Sequence, residues 1–280
     1  MLRLRQILKF LIIICCYLPL QVVAQSVSLP ATEQFTLKNK AGQDYQIMVS
    51  LPKNQTPAKP MPVLYILDGN SVFAAFHDAK RMESDYADTL IVAVAYPTDK
   101  PFDFYRRSYD FSPPVPKEVN DPPQGGQDEF VDFLKNILQP EIARRYDINQ
   151  ERQSLYGHSF GGMFTLYAMY TQPTLFQHYI VSSPSLWWAS RYLITHERTF
   201  MEQVKAGEVS LVDKSLYLLV AEGDDVQERQ DIELLADRMK ALSAYGLRSA
   251  YYLQEDEDHM SLPITIAHRV LRQAFNPRLR

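Results

Sequence analysis

The sequence predicts an α/β fold: a mostly parallel, doubly wound sheet with an antiparallel hairpin at its N-terminal end. Two observations carry this. The apolar runs MPVLYI, LIVAVA, SLYG, HYIV and SLYLLVA each end in turn residues, as strands buried on both faces do. Between most of them lie segments of helical period, such as DEFVDFLKNILQPEIARRY and RQDIELLADRMKALSAY. Strand and helix in alternation produce a parallel sheet covered by helices. Size agrees, since 280 residues at 46% hydrophobic and 22% charged content suffice for one large core.

At the N-terminus Arg3, Arg5 and Lys9 precede an apolar run from Phe10 to Leu20 and small residues ending at Ala24. That is the layout of a secretory signal peptide. Pro19 and Gln21 interrupt the run and leave it shorter than the ~20 apolar residues of a spanning helix. The expected organisation is a signal peptide over 1–24 and one α/β domain over 25–280, with a retained membrane anchor as the competing reading. Both cysteines, Cys15 and Cys16, lie in this leader, where bulky isoleucines before them argue against lipid attachment. A processed chain has no thiol and no disulfide. Losing the leader removes three positive charges and no negative one, which moves the formal net charge from −4 to −7. Without a basic cluster, such a chain has no electrostatic footprint for nucleic acid.

QFTLKNKAGQDYQIMVSLP reads as two strands joined at Ala41-Gly42, an edge hairpin with partial apolar alternation. NQTPAKPMP is a proline-rich loop. The stretch from Pro97 to Gly126, with Pro113, Pro114, Pro116, Pro122 and Pro123, reads as one long irregular segment. Its length fits a binding loop or lid, or a surface excursion.

In LYGHSFGGMF, Gly157, Ser159 and Gly161 match G-x-S-x-G, a sharp strand-to-helix turn that lifts a serine clear of the sheet. Ser159 falls at a C-terminal strand end, where ligands gather in open parallel sheets. A serine needs a base. His77, His178, His196 and His268 lie in helix or strand bodies, and His158 reads as pointing elsewhere from the turn. His259, in QEDEDHMSLP, follows the strand SAYYL and comes to the same sheet edge as Ser159. The acid that orients the imidazole is expected in AEGDD: Asp225 first, then Asp224, then Glu222. Two backbone N–H groups complete the constellation as an oxyanion hole, that of Phe160 and that of Asn70, with Gly69 permitting the turn between.

VLYILDGNSVF, AYPTDKPFDFYRRSYDFSP, GHSFGGMFTLYAMYTQPTLFQHYIVSSPSLWW and DHMSLP together resemble the esterase family of α/β-hydrolases. The likeness is strongest to its bacterial siderophore esterases, the trilactone hydrolases of enterobactin, salmochelin and bacillibactin type. The resemblance implies an exported, periplasmic serine carboxylic-ester hydrolase that works through an acyl-enzyme. It carries Ser159 over as nucleophile, His259 as base, and Phe160 and Asn70 as oxyanion donors. Asp225 becomes an assisting acid, because some members work as serine–histidine dyads. No cofactor or metal is implied, and the partner is a small-molecule ester such as a ferric siderophore. Attention also falls on Arg106 and Arg107, whose forks hold carboxylates or phenolates or else pair with Asp103 or Asp110. Trp187 and Trp188 line a pocket or pack in the core. Acyl transfer to an acceptor other than water, and ligand binding without catalysis, are the alternative functions.

Overall fold

The computed structural model describes residues 28–54 and 59–276, and the fold below concerns the unit Ala31–Arg280. The leader, with Cys15, Cys16 and the expected cleavage after Ala24, lies outside the described residues.

Eight strands form one sheet: β1 (Thr32–Lys38), β2 (Asp44–Ser50), β3 (Met61–Ile66), β4 (Leu90–Ala95), β5 (Ile148–His158), β6 (His178–Ser182), β7 (Ser215–Ala221) and β8 (Arg248–Gln254). Their spatial order is β1-β2-β4-β3-β5-β6-β7-β8. β2 runs antiparallel to both β1 and β4, and every other pairing is parallel. The hairpin is the expected one, closed by Gly42 at φ 81 and by the Asn39 side chain accepting from the Gln43 N–H at 2.9 Å. Every residue of β3, β4, β6 and β7 is buried. Successive strand side chains point to opposite faces, so these unbroken apolar runs mean that both faces of the sheet are covered.

The helices are α1 (Gly69–Met82), α2 (Phe104–Phe111), α3 (Gln127–Phe133), α4 (Gln139–Arg145), α5 (Phe160–Thr171), α6 (Leu193–Lys205), α7 (Val226–Lys240), α8 (Leu262–Thr265) and α9 (Ala267–Phe275). α5 is buried at every residue from Phe160 to Tyr170, which is why FGGMFTLYAMY is apolar all round rather than amphipathic. It packs on β5 and β6 and against α2 and α6. Between α3 and α4 the chain widens into a π-turn over Leu134–Leu138, immediately before Pro140. A proline has no N–H to donate and crowds the carbonyl four residues back, and the wider turn accommodates both.

The expected irregular stretch from Pro97 to Gly126 contains α2 and a 3-10 turn at Lys117–Val119. Pro113, Pro114, Pro116, Pro122 and Pro123 all follow α2, and Asp103 caps its start by accepting from the Arg106 N–H at 3.1 Å. Asp preceding a helical run is a start signal that the nearby prolines masked.

Candidate active site

Ser159 sits between the end of β5 and the start of α5 at φ 58 and ψ −117, a strained conformation for a residue with a side chain. The surroundings over-determine it. Its N–H donates to the Ser182 carbonyl at 3.0 Å, and its own carbonyl accepts from the Met163 N–H at 2.9 Å. Gly157 is required here because a Cβ at that position would overlap the Gly161 carbonyl. The turn thus lifts the half-buried Ser159 hydroxyl above the sheet, where it hydrogen-bonds the Ser185 hydroxyl at 3.3 Å.

His259 lies in the loop after β8, and its Nδ1 meets Asp224 Oδ1 at 2.7 Å. The contact fixes the tautomer: Nδ1–H donates to the carboxylate and Nε2 is left as the basic nitrogen. The Asp224 side chain is fully buried. Its Oδ2 accepts from the Ser183 hydroxyl and, at 3.1 Å, from the Ala221 N–H. Burial pushes the Asp224 carboxyl up, but hydrogen bonds from His259 and Ser183 outweigh it and hold the group below the usual range. The hydrogen bond to Asp224 raises His259 above the usual histidine range, against the opposing effect of burial.

The expectation of Asp225 at this position is corrected. Asp225 is exposed and caps α7, accepting from the Gln227 N–H at 2.8 Å. Adjacent residues leave a turn in different directions, so only one of the pair can face His259. The signal was present in the sequence: Asp225 and Glu228 have capping-box spacing, which marks Asp225 as the helix start and leaves Asp224 for the interior. Glu222, the third candidate, is exposed and accepts from the Asp256 N–H at 3.1 Å, tying the two loops together.

His158 does not point away from the site. Its ring packs on that of His259, with centroids 4.6 Å apart. Nδ1 bonds the Ser182 hydroxyl at 3.0 Å, and Nε2 is buried without a hydrogen-bond partner among the described residues. Burial, with the neighbouring His259 charge, pushes His158 down to about 3, so it stays neutral wherever His259 titrates.

Ile66 of β3 pairs in register with Tyr156 of β5, and Asn70 and Phe160 each follow by four residues. Both therefore come to the same sheet edge, each in the first turn of a helix, where backbone N–H groups have no intrahelical acceptor. The Asn70 side chain is occupied elsewhere. Its amide donates to the Tyr96 and Thr98 carbonyls, both at 2.9 Å, and accepts from the Tyr96 N–H at 2.8 Å. The turn before it is made by Asp68 at φ 53 rather than by Gly69. Gly69 serves packing: a Cβ there would lie 2.9 Å from that of Ala93.

Neither arginine presents an open fork. Arg107 is buried and pairs with Asp68 through Nε–Oδ1 and Nη2–Oδ2, both 2.9 Å. Arg106 donates to the Asp44 carbonyl at 3.4 Å and lies over the Tyr45 and Tyr96 rings, 5.0 and 5.3 Å from their centroids. Asp103 caps α2, and Asp110 accepts from the Tyr45 and Tyr96 hydroxyls at 2.9 and 3.0 Å. The Arg107–Asp68 pair ties α2 to the turn that presents Asn70. Arg107→Met leaves Asp68 buried without its counter-charge and is expected to lower unfolding stability by about 3–5 kcal/mol in denaturant titrations.

The tryptophans divide. Trp188 is half-buried, donates Nε1–H to Gln124 at 2.9 Å and lies 4.6 Å from the Phe160 ring, so it anchors the proline-rich segment. Trp187 is 43% exposed and meets Trp188 edge-on. Ala189, Ser190 and Arg191 follow at φ 44, 55 and 61, and Arg191 pairs with Asp231 of α7 at 2.9 Å. Sequence reasoning also passed over Ser183, Ser185 and Glu228. Asp224, Glu228 and His259 have ligand-type atoms within 4.8 Å of one another, the group among the described residues best able to hold a metal ion.

The profile of the family described as "Putative esterase" matches residues 38–259. A siderophore triacetylfusarinine C esterase of Aspergillus fumigatus is 38% identical over 207 residues, covering 70% of this chain and 69% of its own. The ferri-bacillibactin esterase of Bacillus subtilis is 30% identical over 274 residues, covering 91% and 93%. Among solved structures, the BES protein of Bacillus cereus superposes with a TM-score of 0.81 at 30% identity, over 90% of this chain and 98% of that one.

Proposed function

This chain belongs to the esterase family, and from that premise we propose that it is a serine hydrolase that cleaves siderophore esters through an acyl-enzyme. The observation that carries the reading is the 2.7 Å bond from His259 Nδ1 to buried Asp224, which leaves Nε2 as a base at the edge where Ser159 is lifted. Ser159 Oγ leaves Ser185 and attacks the ester carbonyl carbon while His259 Nε2 takes its proton. Asp224 stabilises the resulting imidazolium without itself taking the proton. The N–H groups of Asn70 and Phe160 receive the negative charge on the carbonyl oxygen. The C–O bond to the alcohol then breaks, and His259 returns the proton to the leaving alkoxide. Water, deprotonated by His259, attacks the acyl carbon; the bond to Ser159 Oγ breaks, His259 returns the proton to that oxygen, and the acid leaves.

Siderophore esters are the substrate class because relatives that align over most of this chain bear that name. Purified protein is expected to hydrolyse a siderophore trilactone or triester and to be labelled by a fluorophosphonate at Ser159. Labelling on any other residue, or none, refutes the serine mechanism. Hydrolysis of simple esters alone refutes the siderophore assignment. Export follows from the leader, and mass spectrometry of the exported protein is expected to find its terminus at Gln25. Among the described residues no helix is long and apolar enough to cross a membrane.

A further inference from the structure

β6 ends at Ser182, and the residues that follow it tie the nucleophile to the acid. The Ser182 carbonyl accepts from the Ser159 N–H at 3.0 Å, and the Ser185 hydroxyl meets that of Ser159 at 3.3 Å. Between them the Ser183 hydroxyl donates to Asp224 Oδ2. Ser183 is buried, and its backbone lies at φ 39, in the left-handed region that favours glycine. Pro184 follows, and a proline narrows the choices of the residue before it further. The backbone is anchored without help from the side chain, because the Ser183 N–H donates to the Leu219 carbonyl at 2.9 Å. Glycine would meet every backbone demand at this position, yet a side chain stands there, and strain of this kind gathers where a side chain has a task. What this side chain adds is its bond to the carboxylate.

The two oxygens of Asp224 have separate partners. Oδ1 meets His259 Nδ1 at 2.7 Å, while Oδ2 takes the Ser183 hydroxyl and, at 3.1 Å, the Ala221 N–H. That N–H also lies 3.4 Å from Ser183 Oγ, so serine, amide and Oδ2 form one closed cluster. A carboxylate by itself turns readily about its Cβ–Cγ bond. Two donors on Oδ2 oppose that turn, and one donor leaves it freer. We propose that Ser183 is a positioning residue for the hydrolytic reaction: its hydroxyl pins Asp224 Oδ2 so that Oδ1 stays aligned on His259 Nδ1, and serine occupies a glycine-type backbone position to supply that hydroxyl. This rests on the hydrolase reading and deepens it by assigning the group that orients the acid. Ser183 touches neither the ester nor the transferred proton. The other charged or titratable groups facing the Asp224–His259 pair are Glu228 from α7, Arg107 from α2, His158 from β5, Tyr251 from β8 and Asp258 from the histidine loop. A change at Ser183 removes no charge from this set, so a shifted pH profile reads the geometry of the contact itself.

The test compares Ser183→Ala with Ser183→Gly. Both delete the hydroxyl, and only glycine also relieves the backbone, so the glycine variant is expected to melt at the same temperature as the alanine variant or higher. With 4-nitrophenyl butyrate, kcat should fall about five- to fiftyfold in both, to within about twofold of one another, while KM changes by less than about twofold. The rate at which a fluorophosphonate labels Ser159 should fall in parallel, since it needs the same activated serine. The rising limb of kcat/KM should move to lower pH in both variants, because a loosened Asp224 favours the His259 imidazolium less. The decisive measurement is a double-mutant cycle: in an Asp224→Asn background, Ser183→Gly should change kcat by less than about twofold, because the hydroxyl acts through the carboxylate. A loss as large in that background as in wild type overturns the proposal. So does a kcat within about twofold of wild type in both single variants, a rising limb that stays in place or moves to higher pH, or activities that differ in step with the two melting temperatures. If wild-type Ser159 is not labelled at all, the hydrolase reading itself falls; if it is labelled and the Ser183 variants label at the wild-type rate, this inference alone falls.

Discussion

Ser159→Ala is expected to lower kcat/KM for ester hydrolysis by at least about a thousandfold, roughly 4 kcal/mol of lost transition-state stabilisation. In the proposed mechanism the variant deletes the atom that forms the acyl-enzyme. Ser185 lies 3.3 Å from that oxygen, but its hydroxyl has no base of its own among the described contacts. The fold should persist, since the strained turn is held by backbone bonds from Ser159 to Ser182 and Met163 that alanine retains. Circular dichroism and thermal unfolding close to wild type, with labelling abolished, form the expected pair of results. Retention of more than about a tenth of the activity would refute Ser159 as nucleophile.

Exchanging the two adjacent aspartates should give opposite outcomes. Asp224→Asn removes the charge that steadies the His259 imidazolium and offers an amide to Nδ1, which can trap the wrong tautomer. A fall in kcat of about 10²- to 10⁴-fold is expected. Any residual activity should titrate at lower pH, because the Asp224 hydrogen bond is the main influence raising His259, and kcat/KM rises as that imidazole loses its proton. Asp225→Asn should leave both rate and pH profile near wild type, since asparagine still caps α7. If Asp225→Asn is the damaging change, the acid is misassigned; if neither matters, a Ser159–His259 dyad suffices.

The same pair acts on stability. Asp224 is depressed below its unfolded value of 3.8, so its contribution is present above that pH and is lost as pH falls through the folded value. His259 is raised above 6.5, so its contribution is complete below that pH and is lost as pH rises through its folded value. The Asp224–His259 contact therefore stabilises the fold most between pH 3.8 and 6.5.

The sequence by itself determined the strands and their kind, because burial on both faces demands continuous apolar runs and a hairpin edge demands alternation and a turn glycine. It determined the turn at Ser159 for the same local reason, since Gly157 has to clear the Gly161 carbonyl within five residues of chain. It placed His259 and the AEGDD turn at one edge, because strands that run parallel deliver their C-terminal ends together. Tertiary structure alone decided which group faces which. Asp224 and His259 are 35 residues apart, and Arg107 and Asp68 are 39 apart. Those contacts depend on strand register and on how each loop leaves its strand, and no local propensity encodes either. Of the two neighbouring aspartates, capping-box spacing marks Asp225 as the helix cap in the sequence itself, but that Asp224 meets Ser183 and His259 is decided by the fold alone. The arginines show the same limit: only packing of α2 against the Asp68 turn decides that Arg107 braces the site from within instead of reaching toward a ligand.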